Sequence, residues 1–256
     1  MWLNLGVSLA EAVRPDNECE CVGSVVKGVF RLEKSDPAKA TCIKAYFDDL
    51  NKRIENLADL NALDCFRDDA LILCLVYIDG LASNYYEGRE VNKNFCRALR
   101  ELSGNALFGK IHAKFLLDPD NDKYWAGGKT DKDGAKAKFA VEGLASRGSG
   151  DLLDELEVAG QIRSSGVGKE MAQRIVSNLW RSSIAAICYE EMRNGAVHRL
   201  GTKTLTFGET FYEGRLGFKL NFDVLHRALR HISDHIAKES VVKGEWFARK
   251  DYFKPR

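Results

Sequence analysis

The fold turns on residues 64–86, DCFRDDALILCLVYIDGLASNYY. Their longest apolar run, residues 70–78, is nine residues long and is bounded by Asp69 and Asp79. A bilayer span needs about 20 residues, so the run reads as a buried helix segment and not as a membrane anchor. Its centre, LILCLVYI, is apolar on every side, and a helix of that kind belongs inside a protein. A helical core built around this segment is therefore the first expectation.

Working outward, Ser35-Asp36-Pro37 marks a helix start. Asp36 can cap, and Pro37 suits the first helical position, where its missing N–H costs nothing. That helix runs through KATCIKAYFDDLNKRIENL. Before it, residues 22–32 read as a strand or a loop. Downstream, residues 92–102 carry Phe95, Leu99 and Leu102 at helical spacing, with Ser103-Gly104 as the stop. Residues 118–135, DPDNDKYWAGGKTDKDGA, read as an exposed loop or insertion, and residues 146–150, SRGSG, as another break. One long helix is expected over residues 168–193, with Val176, Leu179, Trp180, Ile184 and Ile187 as its buried stripe and Ser183 filling the remaining place on that face. Two short β-like runs, 202–207 and 215–220, suggest a hairpin. A last helix, residues 222–238, buries Leu225, Leu229, Ile232 and Ile236.

The fold class is accordingly mainly α, a helical bundle with a small β-hairpin and extra segments. Residues 1–60 form an N-terminal segment of unassigned fold, residues 61–240 the helical domain with an insert at about 104–167, and residues 241–256 a C-terminal tail. Composition agrees. The 256 residues are 45% hydrophobic and 29% charged, with four prolines, which excludes collagen, a wholly disordered chain and a membrane bundle.

The opening MWLNLGVSLAEAV lacks a basic region, so no secretion signal is read there. Seven cysteines, an odd number at scattered spacing, point to a reducing cytoplasm. The formal charge is +1 overall, yet residues 193–256 hold 13 Lys and Arg against 7 Asp and Glu. Such a basic quarter reads either as a phosphate-facing surface or as an ordinary solvated face.

Several near misses are discarded. Residues 104–110, GNALFGK, match the start of a phosphate loop, but Ile111 stands where the magnesium-binding hydroxyl is needed. Cys19-x-Cys21 has no second pair at zinc-ribbon spacing. His231 and His235 are one helical turn apart without an HExxH pattern and read as surface or packing residues. No GxSxG occurs.

The segment that carries chemistry is Tyr189-Glu-Glu-Met-Arg193-Asn194-Gly-Ala-Val-His198-Arg199. RNA supplies its own nucleophile, the 2′-OH. An enzyme need only remove that proton, protonate the departing 5′-oxygen and stabilise the phosphorus. A histidine titrating near neutrality can act as acid or base, and an arginine offers a permanent charge and a planar donor fork. Neither role needs a metal or other cofactor. With 18 arginines and 5 histidines in the chain, about one Arg-x(4–6)-His pair is expected by chance. Two occur. Arg230 and His235 lie within a regular helix, about 140° apart, and diverge, whereas Asn194-Gly195 can break the helix and turn His198 back toward Arg193. Asn194 lies eighteen residues, five turns, beyond Val176 and so continues the buried stripe, where a polar group must be hydrogen-bonded. The ordinary reading is a helix C-terminus with a capping asparagine. Asp79 reads as a cap or a solvated residue, or else as a hydrogen-bond partner near the motif.

On these residues the chain resembles the HEPN superfamily of α-helical domains, which bear Arg-x(4–6)-His with a polar residue, often Asn, just after the arginine. ALILCLVYIDGLASNYY is similar to the family's first core helix, LWRSSIAAICYEEMRNGAVH to the helix leading into the motif, and NFDVLHRALRHISDHI to the closing helix. The resemblance implies a HEPN-like bundle and metal-independent endoribonuclease activity on RNA in toxin–antitoxin or other defence settings. It further implies a homodimer with the two motifs facing each other, and in some systems an antitoxin partner. By position, Arg193 stabilises the phosphate, His198 is the general acid or base, Asn194 positions them, and the adjacent Arg199 adds a phosphate contact. Some members are instead non-catalytic binding modules.

Overall fold

The computed structural model describes residues 37–86, 90–117, 132–147, 152–194, 205–207 and 218–244. Helix α1, Pro37–Ala62, carries Ile43, Phe47, Leu50, Ile54 and Leu57 at alternating four- and three-residue steps, all of them buried. A 3₁₀ turn at Asp64–Phe66 leads into α2, Arg67–Tyr85, and α3 spans Val91–Arg97. A π-helical turn, Ala98–Leu102, prolongs α3 until Gly104, at φ 68, ends it. That left-handed turn favours glycine, and a Cβ there would come within 3.3 Å of the His231 ring. Strand β1, Ile111–His112, and helix α4, Ala113–Leu117, follow.

The insert holds α5, Lys132–Arg147, β2, Leu152–Leu153, and α6, Glu155–Ser164, and α7, Lys169–Asn178, follows it. Asp154 caps α6 by accepting from the Leu156 N–H, as a short acidic side chain at that position does. Helix α8 is one turn, Ile184–Ile187, prolonged by a second π turn, Cys188–Arg193. Strands β3, Leu205–Phe207, and β4, Phe218–Leu220, pair antiparallel with Thr206 opposite Lys219. Helix α9, Phe222–Lys243, opens on the Asn221 cap and closes at Gly244, φ 61.

The chain is mainly α with a small hairpin, as the sequence implied. Helices α1, α2 and α9 pack against one another, and α3 and the second π turn close the core. The boundary at residue 60 falls inside α1, whose buried stripe belongs to this same core. The insert, with α7 and Leu179 just after it, builds a second cluster around Ile111, Leu116, Val141, Leu153, Val158, Ile162 and Leu179. Among the described residues no helix is long and apolar enough to cross a membrane.

Four expectations change. Helix α2 is not covered on every side, because Leu73 and Val76 stand 40% and 46% exposed on one face. Residues 132–135, read as loop, are the first turn of α5. The long helix over 168–193 is broken. Ser183 is extended (φ −73, ψ 156) and pairs with Ile111, and Ile184 donates to the Lys110 carbonyl at 3.0 Å. Strand β1 thus takes the backbone groups that a continuous helix would have used internally. Ser183 Oγ accepts from the Ala186 N–H and starts a new helix. The last helix also runs five residues beyond 238, into the segment read as tail.

Candidate functional site

Two elements make the site. Helix α2 delivers Asp79 near its end, and the second π turn delivers Glu190, Arg193 and, just past it, Asn194. A π turn inserts an extra residue into the helical ladder, which re-aims the side chains that follow, and such turns recur at functional sites. Its inner face rests on Tyr189, which meets Phe95 of α3 edge-on at 5.3 Å.

Arg193 is held from three directions. Its Nη2 and Nε donate to Asp79 Oδ2 at 2.8 and 3.2 Å, and its Nη1 donates to Asn194 Oδ1 at 3.1 Å. Its Cζ lies 5.2 Å from the centre of the Tyr189 ring, within cation–π range. The Arg193 and Asp79 side chains are 19% and 15% exposed. In this largely dry setting an unpaired charge would be costly, and each residue neutralises the other. The Asn194 amide continues the chain outward, its Nδ2 donating to Glu190 Oε2 at 3.1 Å. The result is a line of polar groups, Asp79, Arg193, Asn194 and Glu190, running from buried to exposed. Asp79 Oδ1 is buried and has no hydrogen-bond partner among the described residues. Burial pushes the Tyr189 phenol above its usual range, with Asp79 and Glu190 adding to the shift and Arg193 opposing it, so Tyr189 stays protonated at neutral pH.

The structure therefore brings Arg193 and Asn194 together. His198 and Arg199 lie outside the described residues, as does the Cys19/Cys21 pair. Asn194 is not in phase with Val176. The break at Ser183 and the π turn interrupt the count, and Asn194 is half-buried beside Arg193 instead of continuing the stripe. For Asp79, of the two readings, the structure shows the hydrogen bond to the motif and not the cap. Glu190 was missed. Its signal was its place four residues before Asn194, the spacing at which helical side chains meet.

The rejected pair behaves as expected. Arg230 bonds Glu55 at 3.0 Å and His235 lies 3.5 Å from Glu239, on separate partners. Among the described residues no group of three or more His, Cys, Asp or Glu is placed to hold a metal ion. Cys74, Cys96 and Cys188 are buried where α2, α3 and the second π turn meet. Burial pushes the Cys96 thiol up to about 12 and raises the other two as well, so these are packing groups rather than nucleophiles. No family model, curated protein or solved structure matches the chain.

Proposed function

We propose that this protein is a metal-independent endoribonuclease of the HEPN type. It cleaves RNA by attack of the 2′-OH, leaving a 2′,3′-cyclic phosphate, as a cytoplasmic homodimer in a toxin or defence setting where an antitoxin can partner it. Arg193 binds the phosphate, Asn194 orients it, His198 serves as acid or base, and Arg199 adds a phosphate contact. The supporting observation is the state of the Arg193 guanidinium. Among the described residues three of its N–H groups are committed, to Asp79 and Asn194. An arginine has five, so two remain for phosphate oxygens, on a head that is pre-oriented and partly exposed. Pre-oriented donors cost no reorganisation when charge builds on the phosphorus.

The test is cleavage of bulk RNA in EDTA. The parent is expected to cut, and Arg193→Ala and His198→Ala are expected to lose cutting while remaining folded by circular dichroism. If both variants cut as fast as the parent, the reading is wrong. A second reading, a non-catalytic HEPN-like module that binds nucleic acid or a protein, is favoured by one fact. Asp79 already neutralises Arg193, as a purely structural ion pair would. RNA affinity that weakens with salt, with no turnover, selects that reading.

A further inference from the structure

Helices α1 and α9 lie side by side and leave a groove of about 440 Å³ open between them. Phe47, Val241 and Val242 make it apolar, and Val242 stands 77% exposed. Its rim carries Lys44 and Asp48 from α1 and Asp234 and Lys238 from α9. We propose that this groove is a self-association surface, on which a second copy of this chain seats. The proposal does not rest on the endoribonuclease reading, because no residue of the Arg193 site lines the groove.

The occupant follows from the charges. Lys44 and Asp48 are four residues apart on α1, and Asp234 and Lys238 are four apart on α9. Opposite charges at that spacing ordinarily meet along one helix. Neither pair closes here, and among the described residues Lys44, Asp48 and Lys238 make no ion pair. Two bases and two acids give the rim no net charge, so a polyanion gains nothing by binding there. A surface carrying the matching pattern gains most, and this chain carries that pattern itself.

Arg230 pairs with Glu55 and, one turn on, Asp234 accepts from Asn51. The two helices are therefore antiparallel, four residues of one stepping against four of the other. The next turn sets Lys238 level with Phe47 and its neighbour Asp48, and Val242 level with Ile43 and Lys44. A two-fold axis along the groove lays α1 of each copy on α9 of the other without changing those levels. Asp48 then faces the partner's Lys238, and the symmetric contact repeats it, as an isologous interface requires. The apolar walls close on each other inside this rim, the arrangement of a protein–protein interface.

Analytical ultracentrifugation of the full chain tests the pairing. The parent is expected to self-associate. Asp48→Lys and Lys238→Asp are each expected to weaken that association at least about tenfold, because like charges then oppose each other at both symmetric contacts. Mixed in equal amounts, the two variants are expected to pair with each other at the parent's strength, since each altered charge meets its opposite in the other chain. Val242→Asp, which charges the apolar wall, is expected to weaken association as well. Far-UV circular dichroism should be unchanged in all three variants. A parent that sediments as a monomer, the groove being open or taken by another segment or protein, overturns the proposal. An association that none of the variants moves also overturns it, while leaving a homodimer joined at the Arg193 motifs standing. A mixture that associates no better than either variant alone overturns it too.

Discussion

Asp79→Ala and Arg193→Ala are each expected to lower the free energy of unfolding by about 2–3 kcal/mol, at or below the lower side of what breaking a fully buried ion pair costs. The lower side applies because both side chains still reach solvent, at 15% and 19% exposure. Asp79→Ala strands a guanidinium whose one remaining hydrogen bond among the described residues is to Asn194. Arg193→Ala strands a carboxylate whose Oδ1 already has no partner among the described residues. Removing both partners leaves no stranded charge, so the double variant is expected to lose about 1–2 kcal/mol less than the sum of the single losses, as groups in direct contact do. Urea unfolding of the four proteins measures the cycle, and additive losses would show that the contact is energetically idle. Asp79→Asn keeps an acceptor but removes the charge that anchors Arg193, and RNA cleavage is expected to fall with it. Unchanged activity and stability in that variant would remove Asp79 from the site.

Phe95→Ala is expected to be the most damaging single truncation near the site, at about 3–5 kcal/mol for emptying a packed aromatic position. Phe95 is 0% exposed and meets Tyr189 edge-on. Tyr189 in turn lies under the Arg193 guanidinium. The cavity would open beneath the second π turn, so loss of stability and loss of any cleavage should appear together. Phe139→Ala is the matched control. That ring is 77% exposed, and its removal should change stability by less than about 0.5 kcal/mol. Thermal unfolding of the two variants side by side decides the matter. Equal effects would mean that Phe95 does not support the turn.

The sequence was most legible where one periodic pattern met one partner surface. Leu225, Leu229, Ile232 and Ile236 of α9 are buried as their spacing indicated, and the hairpin forms where its β-like runs stood. It was least legible where a distant strand intervened. Ser183 has the size that a helical stripe tolerates and the side chain that a new helix needs as its cap, and only the pairing with Ile111 selects the second role. Helix α2 looked wholly buried because residue type records apolarity but not which face a neighbour covers. At the site, Arg193 and Asn194 could be named from their spacing. The bond to Asp79 spans 114 positions, and no local pattern encodes it. An acid closing an apolar run was a hint only in that buried acids are rare without a partner.

The three thiols shut in beneath the second π turn give the unaltered chain an internal clock. Cys65 lies open to reagents, while Cys74, Cys96 and Cys188 are sealed where α2, α3 and that turn join. A maleimide can reach them only when the seam separates. The lag between early and late labelling therefore times the opening of the floor under Arg193, with no probe engineered into the protein.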